Sequence, residues 1–310
     1  MDANRRPTFG LIGTISRDEI AYQDGRAFRQ LGGILYQAAT LCALGERTQL
    51  FANLAGGLES EVDALVAGWP TLSRDGLCRV PGPGNLVHLF YPEKGERREV
   101  LESTVPAIEP ERVIRALPQL DALIMVVNSG YDLTLESWRA VAEAAVCPIW
   151  FDIHSLTLER GLGEQRRYRS IPEWKDWVKG ASYLQANRKE IACMLGHPDS
   201  PVEPAEIEAA CRGALDLGVK AAFVTLGKEG GLAATAERTR RIGLTDDGRP
   251  VDTTGCGDVF CAATVSRLVH GADPAEAASF GISLASQAAF SSGVRETYDL
   301  ALAKNRCKKR

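Results

Sequence analysis

Residues 251–260, with the sequence VDTTGCGDVF, have the types and spacing best suited to chemistry. They lead into a predicted helix at 257–270, so Gly255, Cys256 and Gly257 form a Gly-x-Gly turn at a helix start. Such a turn leaves backbone N–H groups unpaired, and the helix dipole adds partial positive charge at the same place. The segment therefore predicts an anion site made of backbone N–H groups.

Asp258 stands in the first turn of this helix, beside the predicted anion site. A carboxylate at that position repels a bound phosphate, which is unfavourable for simple phosphate binding. It is favourable if the anion is a phosphoryl group in transit and Asp258 accepts the proton of the attacking hydroxyl. The alternative is an acidic residue that only stabilises the helix N-terminus, and the segment by itself leaves both open.

Two more groups of polar residues and glycines follow predicted buried strands, where ligands bind to open parallel sheets. One is residues 224–231, VTLGKEGG, a glycine-bearing turn. The other is Asn187 and Glu190, which are three positions apart and share one face of a starting helix. This oxygen-ligand pair could hold hydrated magnesium. The same spacing is also that of a capping box without any ligand.

The elements that must position these residues are short apolar runs that alternate with helical patterns. Runs of consecutive apolar residues are typical of strands buried on both faces of a parallel sheet. The alternation predicts an α/β fold of three layers, with a mostly parallel central sheet and helices on both faces. Strands are predicted at 9–13, 48–53, 122–127, 148–152, 181–185 and 221–225, and helices at 33–44, 59–67, 109–117, 135–145, 204–217, 257–270 and 274–290.

Two predicted hairpins interrupt this alternation, at about 19–31 and 85–102, with polar turns at 23–25 and 92–95. Hairpins inserted into an α/β core are candidates for a small β lid over a site, or they are plain surface excursions. The chain has no repeat and no linker-like segment, so we predict one domain over residues 1–310.

Composition excludes several classes of protein. Of 310 residues 45% are hydrophobic, and 36 Lys+Arg against 40 Asp+Glu give a net charge of −4. That balance argues against a nucleic-acid-binding protein that depends on a basic surface. No segment reaches the roughly 18 apolar residues of a transmembrane helix. Eight cysteines without a Cys-x-x-Cys pair predict reduced thiols and a cytoplasmic protein.

Taken in order, these motifs resemble the ribokinase-like family of sugar and nucleoside kinases, the phosphofructokinase-B type, over nearly the whole chain. Residues 252–258, DTTGCGD, are similar to the family signature Asp-Thr-x-Gly-Ala-Gly-Asp. Residues 12–18, IGTISRD, resemble its first strand, which ends in a substrate-binding Asp, here Asp18. Gly32 and Gly33 resemble its Gly-Gly substrate loop.

The resemblance implies a ribokinase-like fold, ATP as phosphoryl donor, and Asp258 as the base. It assigns Asn187 and Glu190 to magnesium, bound through water, and Asp252 and Thr254 to a candidate K⁺ site. Nucleotide binding is assigned to Asn187, Thr225, Gly227, Gly230 and Ile282, and acceptor binding to Asp18, Gly32, Gly33 and Gln37. The hairpins correspond to the lid of the family.

Three positions depart from the family pattern. Cys256 replaces the usual Ala, but a backbone N–H acts there, so we expect the anion site to persist. Its thiol is either a passive space-filler or reactive because helix N-termini lower thiol pKa. Gln37 replaces an Asn that bonds the sugar, so the acceptor would move or differ. Ile282 replaces an Asn near the adenine, so apolar contact would hold the base.

The leading prediction is an ATP-dependent kinase of a hydroxyl on a sugar, polyol, inositol or nucleoside. A sugar phosphate is the alternative acceptor if Arg26, Arg29, Arg97 and Arg98 form a basic cluster at the lid. The rival class is a non-catalytic nucleotide-binding regulator. A dehydrogenase is disfavoured because no Gly-x-Gly-x-x-Gly follows the first strand. Exposed edges of the lid hairpins also predict a homodimer.

Overall fold

A computed structural model describes residues 5–55, 57–93, 97–244, 248 and 250–308. The predicted turn at 92–95 lies partly outside the described residues. The strands are β1 (Thr8–Ile12), β2 (Ser16–Tyr22), β3 (Ala27–Leu31), β4 (Arg47–Ala55), β5 (Leu72–Val80), β6 (Asn85–Tyr91), β7 (Arg98–Ser103), β8 (Ala122–Val126), β9 (Ile149–Asp152), β10 (Tyr183–Asn187), β11 (Ala221–Thr225), β12 (Gly231–Ala234) and β13 (Thr239–Ile242).

Ten α-helices surround these strands in the described ranges. They are α1 (Leu35–Leu44), α2 (Leu58–Val66), α3 (Pro110–Ile114), α4 (Leu135–Ala144), α5 (Trp174–Val178), α6 (Arg188–Leu195), α7 (Pro204–Leu215), α8 (Cys256–Val269), α9 (Pro274–Ala288) and α10 (Val294–Lys308). Within the same ranges, no helix combines the length and apolarity needed to cross a membrane.

The large sheet has nine strands in the order β13-β12-β11-β10-β9-β8-β1-β4-β5. From β11 to β5 every neighbouring pair is parallel. Only the pairs β11–β12 and β12–β13, at one edge, are antiparallel. The carboxyl ends of β1, β8, β9, β10 and β11 therefore meet along one side of the sheet. The prediction of a mostly parallel sheet is confirmed.

The core lies on both faces of this sheet, as the consecutive apolar runs predict. Trp150 and Phe151 are neighbours in β9 and are fully buried, yet they belong to different apolar clusters. Trp150 stacks on Phe223 of β11, with ring centroids 4.9 Å apart, and Phe151 packs near Trp138 of α4. Side chains alternate across the sheet, so a strand covered by helices on both faces needs apolar residues at successive positions.

The two predicted hairpins form one small sheet in the order β3-β2-β6-β7. Each hairpin is antiparallel, and a parallel pairing of β2 with β6 joins them, with Ser16 opposite Asn85. This joining was not predicted, because the hairpins are distant in sequence and neither pattern specifies its partner. The small sheet covers the carboxyl ends of the central strands.

Several elements were missed because their sequences lack a strong apolar period. The edge strand β5 reads LSRDGLCRV and is largely exposed. The highly charged α10 reads VRETYDLALAKNRCK, yet it packs against α1, where Asn305 Nδ2 donates to the carbonyl of Ala43 at 3.1 Å. The predicted helix at 109–117 ends at Ile114. A short 3-10 turn that contains Pro118 follows it.

Close packing of α9 on α8 generates a prediction about stability. A Cβ on Gly281 would lie 2.1 Å from Thr264 Oγ1 and 2.9 Å from the Phe260 carbonyl oxygen. We expect Gly281→Ala to lower the free energy of unfolding by about 1–3 kcal/mol, because overpacking outweighs the better helix propensity of Ala. The matched control is Gly213→Ala on α7, where the nearest atom is 3.6 Å away on Trp174. Chemical denaturation that shows equal effects for the two variants would contradict the packing argument.

Candidate active site

Two adjoining cavities open where the parallel strands end under the small sheet. The inner cavity is lined by residues of the small sheet and of the loops after β1 and β8, among them Asp18 and Asn128. The outer cavity is lined by residues at the ends of β9, β10 and β11. Four residues border both cavities: Arg97, His154, Gly255 and Asp258. The boundary between the two cavities therefore carries a carboxylate and a helix start.

The N-terminus of α8 is the segment predicted to form an anion site. The Cys256 N–H, which was expected to act there, already donates to the Thr253 carbonyl at 3.3 Å. Gly255 has φ 79°, in the left-handed region that favours glycine. A Cβ there would lie 2.4 Å from the ring of Tyr36, so glycine is also required by close approach. Among the hydrogen bonds of the described residues, none uses the backbone N–H of Gly255 or Gly257 as donor. These two donors are free to bind an anion at the start of a 14-residue helix.

Asp258 lies in the first turn of α8 and is 9% exposed. Burial raises the pKa of its carboxyl to about 7, although a hydrogen bond from Gln37 and the positive charge of Arg97 oppose the rise. A carboxyl with a pKa near neutrality can both take up and release a proton under physiological conditions. The structure therefore favours the proton-accepting interpretation of this residue.

Gln37 is brought to Asp258 rather than to the inner cavity. Its side chain is fully buried, its Nε2 donates to Asp258 Oδ1, and it is not among the residues that line that cavity. Its Oε1 is buried without a hydrogen-bond partner in the described residues. The assignment of Gln37 to acceptor binding thus has no support from the position of its amide.

Asp18 does line the inner cavity, but the prediction that it ends the first strand was wrong. β1 ends at Ile12, and Asp18 lies in β2 of the small sheet, because the chain bends away from the large sheet in between. Asp18 is 5% exposed, and burial raises its pKa to about 6, against the opposing effects of a hydrogen bond with Ser16 and the charge of Arg97. The small sheet thus contributes a carboxylate to the cavity that it covers.

The two glycines before α1 are required by close approach. A Cβ on Gly32 would lie 2.0 Å from Asp18 Oδ2. Gly33 has φ 65°, and a Cβ there would lie 2.0 Å from the carbonyl oxygen of Thr14. A larger residue at Gly32 would displace the Asp18 carboxylate, and one at Gly33 would displace the backbone of Thr14 between β1 and β2. The predicted Gly-Gly loop therefore lies at the inner cavity, next to the side chain to which the same prediction assigned acceptor binding.

Asn187 and Glu190 form a capping box at the start of α6. Asn187 Oδ1 accepts from the Glu190 N–H at 2.9 Å, while Glu190 Oε2 accepts from the Asn187 N–H at 2.7 Å. Both border the outer cavity, and burial raises the pKa of Glu190 to about 7, although the bond from the Asn187 backbone and Arg97 lower it. Asn187 and Glu190 therefore do form a capping box. They also border the outer cavity, and their binding of magnesium stays a prediction.

Asp152 is a site residue that the sequence analysis missed. It ends β9, is 2% exposed, and borders the outer cavity. Burial raises its pKa well above the usual value, and the negative charges of Glu190 and Asp258 raise it further. The signal in the sequence that could have identified it was an Asp at the end of a predicted buried strand. Its position creates an excess of negative charge that a bound cation would relieve.

Asn128, after β8, and His154, after β9, were also missed. Asn128 Oδ1 is buried and has no hydrogen-bond partner among the described residues, and the side chain lines the inner cavity. His154 has φ 39°, an uncommon conformation for a residue with a Cβ, and burial lowers its pKa to about 4. Its imidazole is therefore neutral at the boundary of the two cavities.

The residues assigned to nucleotide binding lie in different environments. Thr225 ends β11 and borders the outer cavity. Gly227 and Gly230 have φ 57° and 83°, and they close the turn through a Gly230 N–H bond to the Gly227 carbonyl at 3.0 Å. Ile282 is 4% exposed, packs against Gly231 in the core, and borders neither cavity. The apolar contact with an adenine that was predicted for Ile282 has no support from its position.

Asp252 and Thr254 lie beneath the small sheet. Asp252 Oδ1 accepts from the Thr254 N–H at 2.9 Å, and Oδ2 accepts from Ser292 Oγ at 2.8 Å. Thr254 Oγ1 in turn hydrogen bonds Tyr91 Oη of β6 at 2.5 Å. This contact ties the small sheet to the segment that carries the anion site.

The four arginines proposed as a basic cluster do not converge on the inner cavity: Arg29 and Arg98 instead line a separate cavity on the small sheet. Arg26 pairs with Asp24, Arg29 with Glu19, and Arg98 lies over the ring of Phe90. Of these four arginines only Arg97 borders the cavities, and it pairs with Glu99 at 3.0 Å. The inner cavity therefore has one arginine of the predicted four, and a carboxylate already engages it.

Within the described residues, no group of three or more His, Cys, Asp or Glu side chains is arranged to hold a metal directly. The seven cysteines with described side chains are free thiols. Cys256 is partly buried, and burial raises its pKa to about 12, with further increases from Asp252 and Asp258. The structure thus favours the passive interpretation of this thiol, because burial first, and the two carboxylates second, disfavour the thiolate.

Comparison with known proteins gives a family match for part of the chain. The model of the pfkB family carbohydrate kinases matches residues 165–300, which include β10, β11, α8 and α9. A ribokinase of Schizosaccharomyces pombe is 32% identical over 103 residues, 33% of this chain and 32% of that protein. The chain thus spans about a third of the first curated relatives that it matches.

Solved structures resemble the chain over nearly its whole length. A ribokinase of Thermotoga maritima has a TM-score of 0.73 at 20% identity, covering 96% of this chain and 99% of that one. A pyrophosphate-dependent kinase in the ribokinase family, complexed with a pyrophosphate analog and myo-inositol, has a TM-score of 0.73 at 16% identity, covering 94% and 99%. At these identities the likeness establishes the fold, which is the predicted ribokinase-like one.

The raised pKa of Cys256 generates a prediction about reactivity. We expect iodoacetamide at pH 8 to alkylate Cys256 on the order of 100-fold more slowly than the exposed Cys78, because the thiolate is the nucleophile. Peptide mass spectrometry of the native protein over time measures both rates, and the denatured protein provides the equal-reactivity control. If Cys256 reacts as fast as Cys78 in the native protein, the thiol is activated and our interpretation is wrong.

Proposed function

We propose that the chain is a ribokinase-like carbohydrate kinase, which transfers a phosphoryl group from ATP to a hydroxyl of a small polyhydroxylated acceptor. Its fold and the family match over residues 165–300 support this proposal. The observation that carries this proposal is the place of Asp258. Its buried carboxyl stands where the two cavities meet, in the first turn of the helix whose N-terminus offers free N–H groups. A base and an anion site side by side suit phosphoryl transfer.

The inner cavity is proposed to hold the acceptor. Its wall carries hydrogen-bonding groups suited to hydroxyls, including Asp18 and the unpartnered Asn128 Oδ1. It also carries Glu99 and Asp258, and Arg97 is already paired with Glu99. A phosphate on the acceptor would meet several carboxylates and one engaged cation. This charge balance favours a neutral sugar, polyol, inositol or nucleoside over a sugar phosphate.

The outer cavity is proposed to hold the donor phosphates. Thr225 borders it, the turn of Gly227 and Gly230 follows that residue, and the N–H groups of the Gly-x-Gly turn would bind the moving phosphoryl group. Magnesium would be held through water by Asn187 and Glu190, with Asp152 nearby, and when bound it neutralises donor phosphate charge. Hydrated magnesium suits this place, because Asp152, Glu190 and the half-buried Asn187 all offer oxygen, and a cation would favour the charged forms of two carboxyl groups whose pKa is raised. A K⁺ site at Asp252 and Thr254 belongs to the same proposal.

In the proposed reaction the acceptor hydroxyl attacks the terminal phosphorus of the donor while Asp258 accepts the hydroxyl proton. The O–H bond of the acceptor breaks as the new O–P bond forms, and the bond from phosphorus to the leaving phosphate breaks. Donor N–H groups at Gly255 and Gly257 stabilise charge on the phosphoryl oxygens. The small sheet, tied down by Tyr91 on Thr254, would exclude water as a competing nucleophile.

We also retain as predictions the single domain, the cytoplasmic location and a homodimer through the small sheet.

The experiment that tests the function is a panel of acceptors and donors. The protein is incubated with magnesium, ATP and individual sugars, polyols, inositols and nucleosides, and ADP release is followed. Inorganic pyrophosphate serves as a second donor, because one similar structure is a pyrophosphate-dependent kinase. ATP binding without any ADP release above the no-acceptor control would favour the non-catalytic alternative.

Replacement of the base generates a prediction about turnover. We expect Asp258→Asn to lower kcat by about 10²–10⁴-fold with little change in ATP affinity, because the amide cannot accept the proton. In the unaltered protein kcat should fall as the pH decreases through about 7, since protonation removes the base. Asp273→Asn, at the N-cap of α9, is the matched control and should keep full activity. Full turnover in the Asp258→Asn variant would exclude this residue as the base.

The magnesium role can be separated from the capping role, because the chain has a second capping box. We expect Glu190→Gln to raise the magnesium concentration for half-maximal turnover severalfold. Gln can still accept from the Asn187 N–H, but its NH2 group would face Asn187 Nδ2, so a small decrease in melting temperature is expected as well. Glu206→Gln, at the same position of the capping box of α7, should change neither quantity. Titration of turnover with magnesium and thermal melts measure both. An unchanged magnesium requirement in Glu190→Gln would remove this residue from the metal site.

A further inference from the structure

Gln37 is a buried polar side chain whose partner differs from the acceptor that its motif implies. It lies on α1, one turn after Gly33, and it is fully buried between α1 and the start of α8. Its only hydrogen bond among the described residues is the one that Nε2 donates to Asp258 Oδ1. The preceding residue, Tyr36, borders the inner cavity, and Gln37 does not. α1 therefore presents a ring to the acceptor and an amide to the base.

Burial of the Gln37 amide lowers the stability of the fold, so a functional role of its contact would explain why a Gln stands at this position. The Oε1 atom is buried without a partner among the described residues, and a buried unpaired acceptor typically costs stability. An apolar side chain of the same length would avoid that loss. A Gln at this position is therefore better explained by the Nε2 contact than by packing.

We propose that Gln37 is a positioning residue for Asp258, and that this chain recognises its acceptor without an amide from this position of α1. The hydrogen bond fixes one carboxylate oxygen, Oδ1, and so sets the direction of the other. Oδ2 is then the oxygen that takes the proton of the acceptor hydroxyl. The rate consequence rests on the proposed function, whereas the contact itself does not.

The length of the side chain is what makes the contact possible. Asn is one methylene shorter, so an Asn on the same backbone would withdraw its amide from Asp258 by about 1.5 Å. Met has the length of Gln but no donor. Both substitutions remove the hydrogen bond while changing the buried volume in different ways, so a shared effect would come from the lost bond.

The first test is kinetic. We expect Gln37→Met and Gln37→Asn to lower kcat about 10–100-fold, with the KM values for acceptor and donor within about threefold of the unaltered protein, because a misdirected base slows only the chemical step. Thr40→Val is the control, since Thr40 is buried on the same helix and bonds only the Tyr36 carbonyl. A raised acceptor KM with unchanged kcat would instead make Gln37 an acceptor ligand. Unchanged constants would make it a passive core residue.

The second test needs no turnover and so separates this proposal from the proposed function. Carboxyl ¹³C NMR of Asp-labelled protein follows the titration of Asp258, with the resonance assigned by Asp258→Asn. Loss of the donor should move its midpoint upward in both Gln37 variants. The other titratable and charged groups that face Asp258, namely Asp18, Tyr36, Arg97, Asp152, Cys256 and Cys261, are the same in all variants. An unmoved midpoint in the folded variants would overturn the contact, whereas a moved midpoint without activity on any acceptor would leave the contact intact and overturn the kinase.

Thermal melts decide which variants are used. If Gln37→Met does not fold, Gln37→Asn supplies both measurements, because it keeps a polar group and reduces the buried volume. Reversal of the Gln37→Asn substitution, with the protein prepared in the same way, should restore both the activity and the titration midpoint.

Discussion

Acidic side chains held out of water where the end of β9 meets the starts of α6 and α8 are the constraint on which this site depends. Asp258, Asp152 and Glu190 are buried close enough that burial and, for Asp152, the neighbouring carboxylates raise their pKa values. Such a group of acids is unfavourable unless positive charge or proton sharing compensates for it. The N-terminus of α8 and the guanidinium of Arg97 supply part of that compensation. A cation bound together with the phosphoryl donor would supply the remaining positive charge.

The backbone around this charge is correspondingly restricted. Gly255 must accommodate the ring of Tyr36, and Gly32 must accommodate the Asp18 carboxylate. A side chain at either position would push apart two surfaces that have to meet. The close approach brings α1, the small sheet and α8 together around one cavity. Packing of α9 on α8 through Gly281 then holds the helix whose N-terminus is the proposed anion site.

The small sheet is part of the site rather than a cover alone. It contributes Asp18 and Glu99 to the inner cavity, and Tyr91 reaches Thr254 beside the anion site. Glu99 also forms an ion pair with Arg166, in which Oε1 lies 3.0 Å from Nη1, and the Arg166 side chain is 1% exposed. A displacement of the small sheet would therefore alter the charge of the cavity as well as its access to water. This coupling is a physical reason to connect lid position with acceptor binding.

The sequence by itself determined the parallel sheet, the two hairpins, and the segments that carry the anion site and Asp258. These features depend on local patterns, such as consecutive apolar residues and a Gly-x-Gly turn before a helix, which neighbouring residues specify. The tertiary structure alone decided that the hairpins pair through β2 and β6 and that Gln37 reaches Asp258. It also placed Asp152 close to Glu190 and Asp258, and it brought only one of the four arginines to the two cavities. Those outcomes depend on contacts between residues far apart in the chain, where side-chain length and the packing of α1 on α8 select the partner and no local pattern records it.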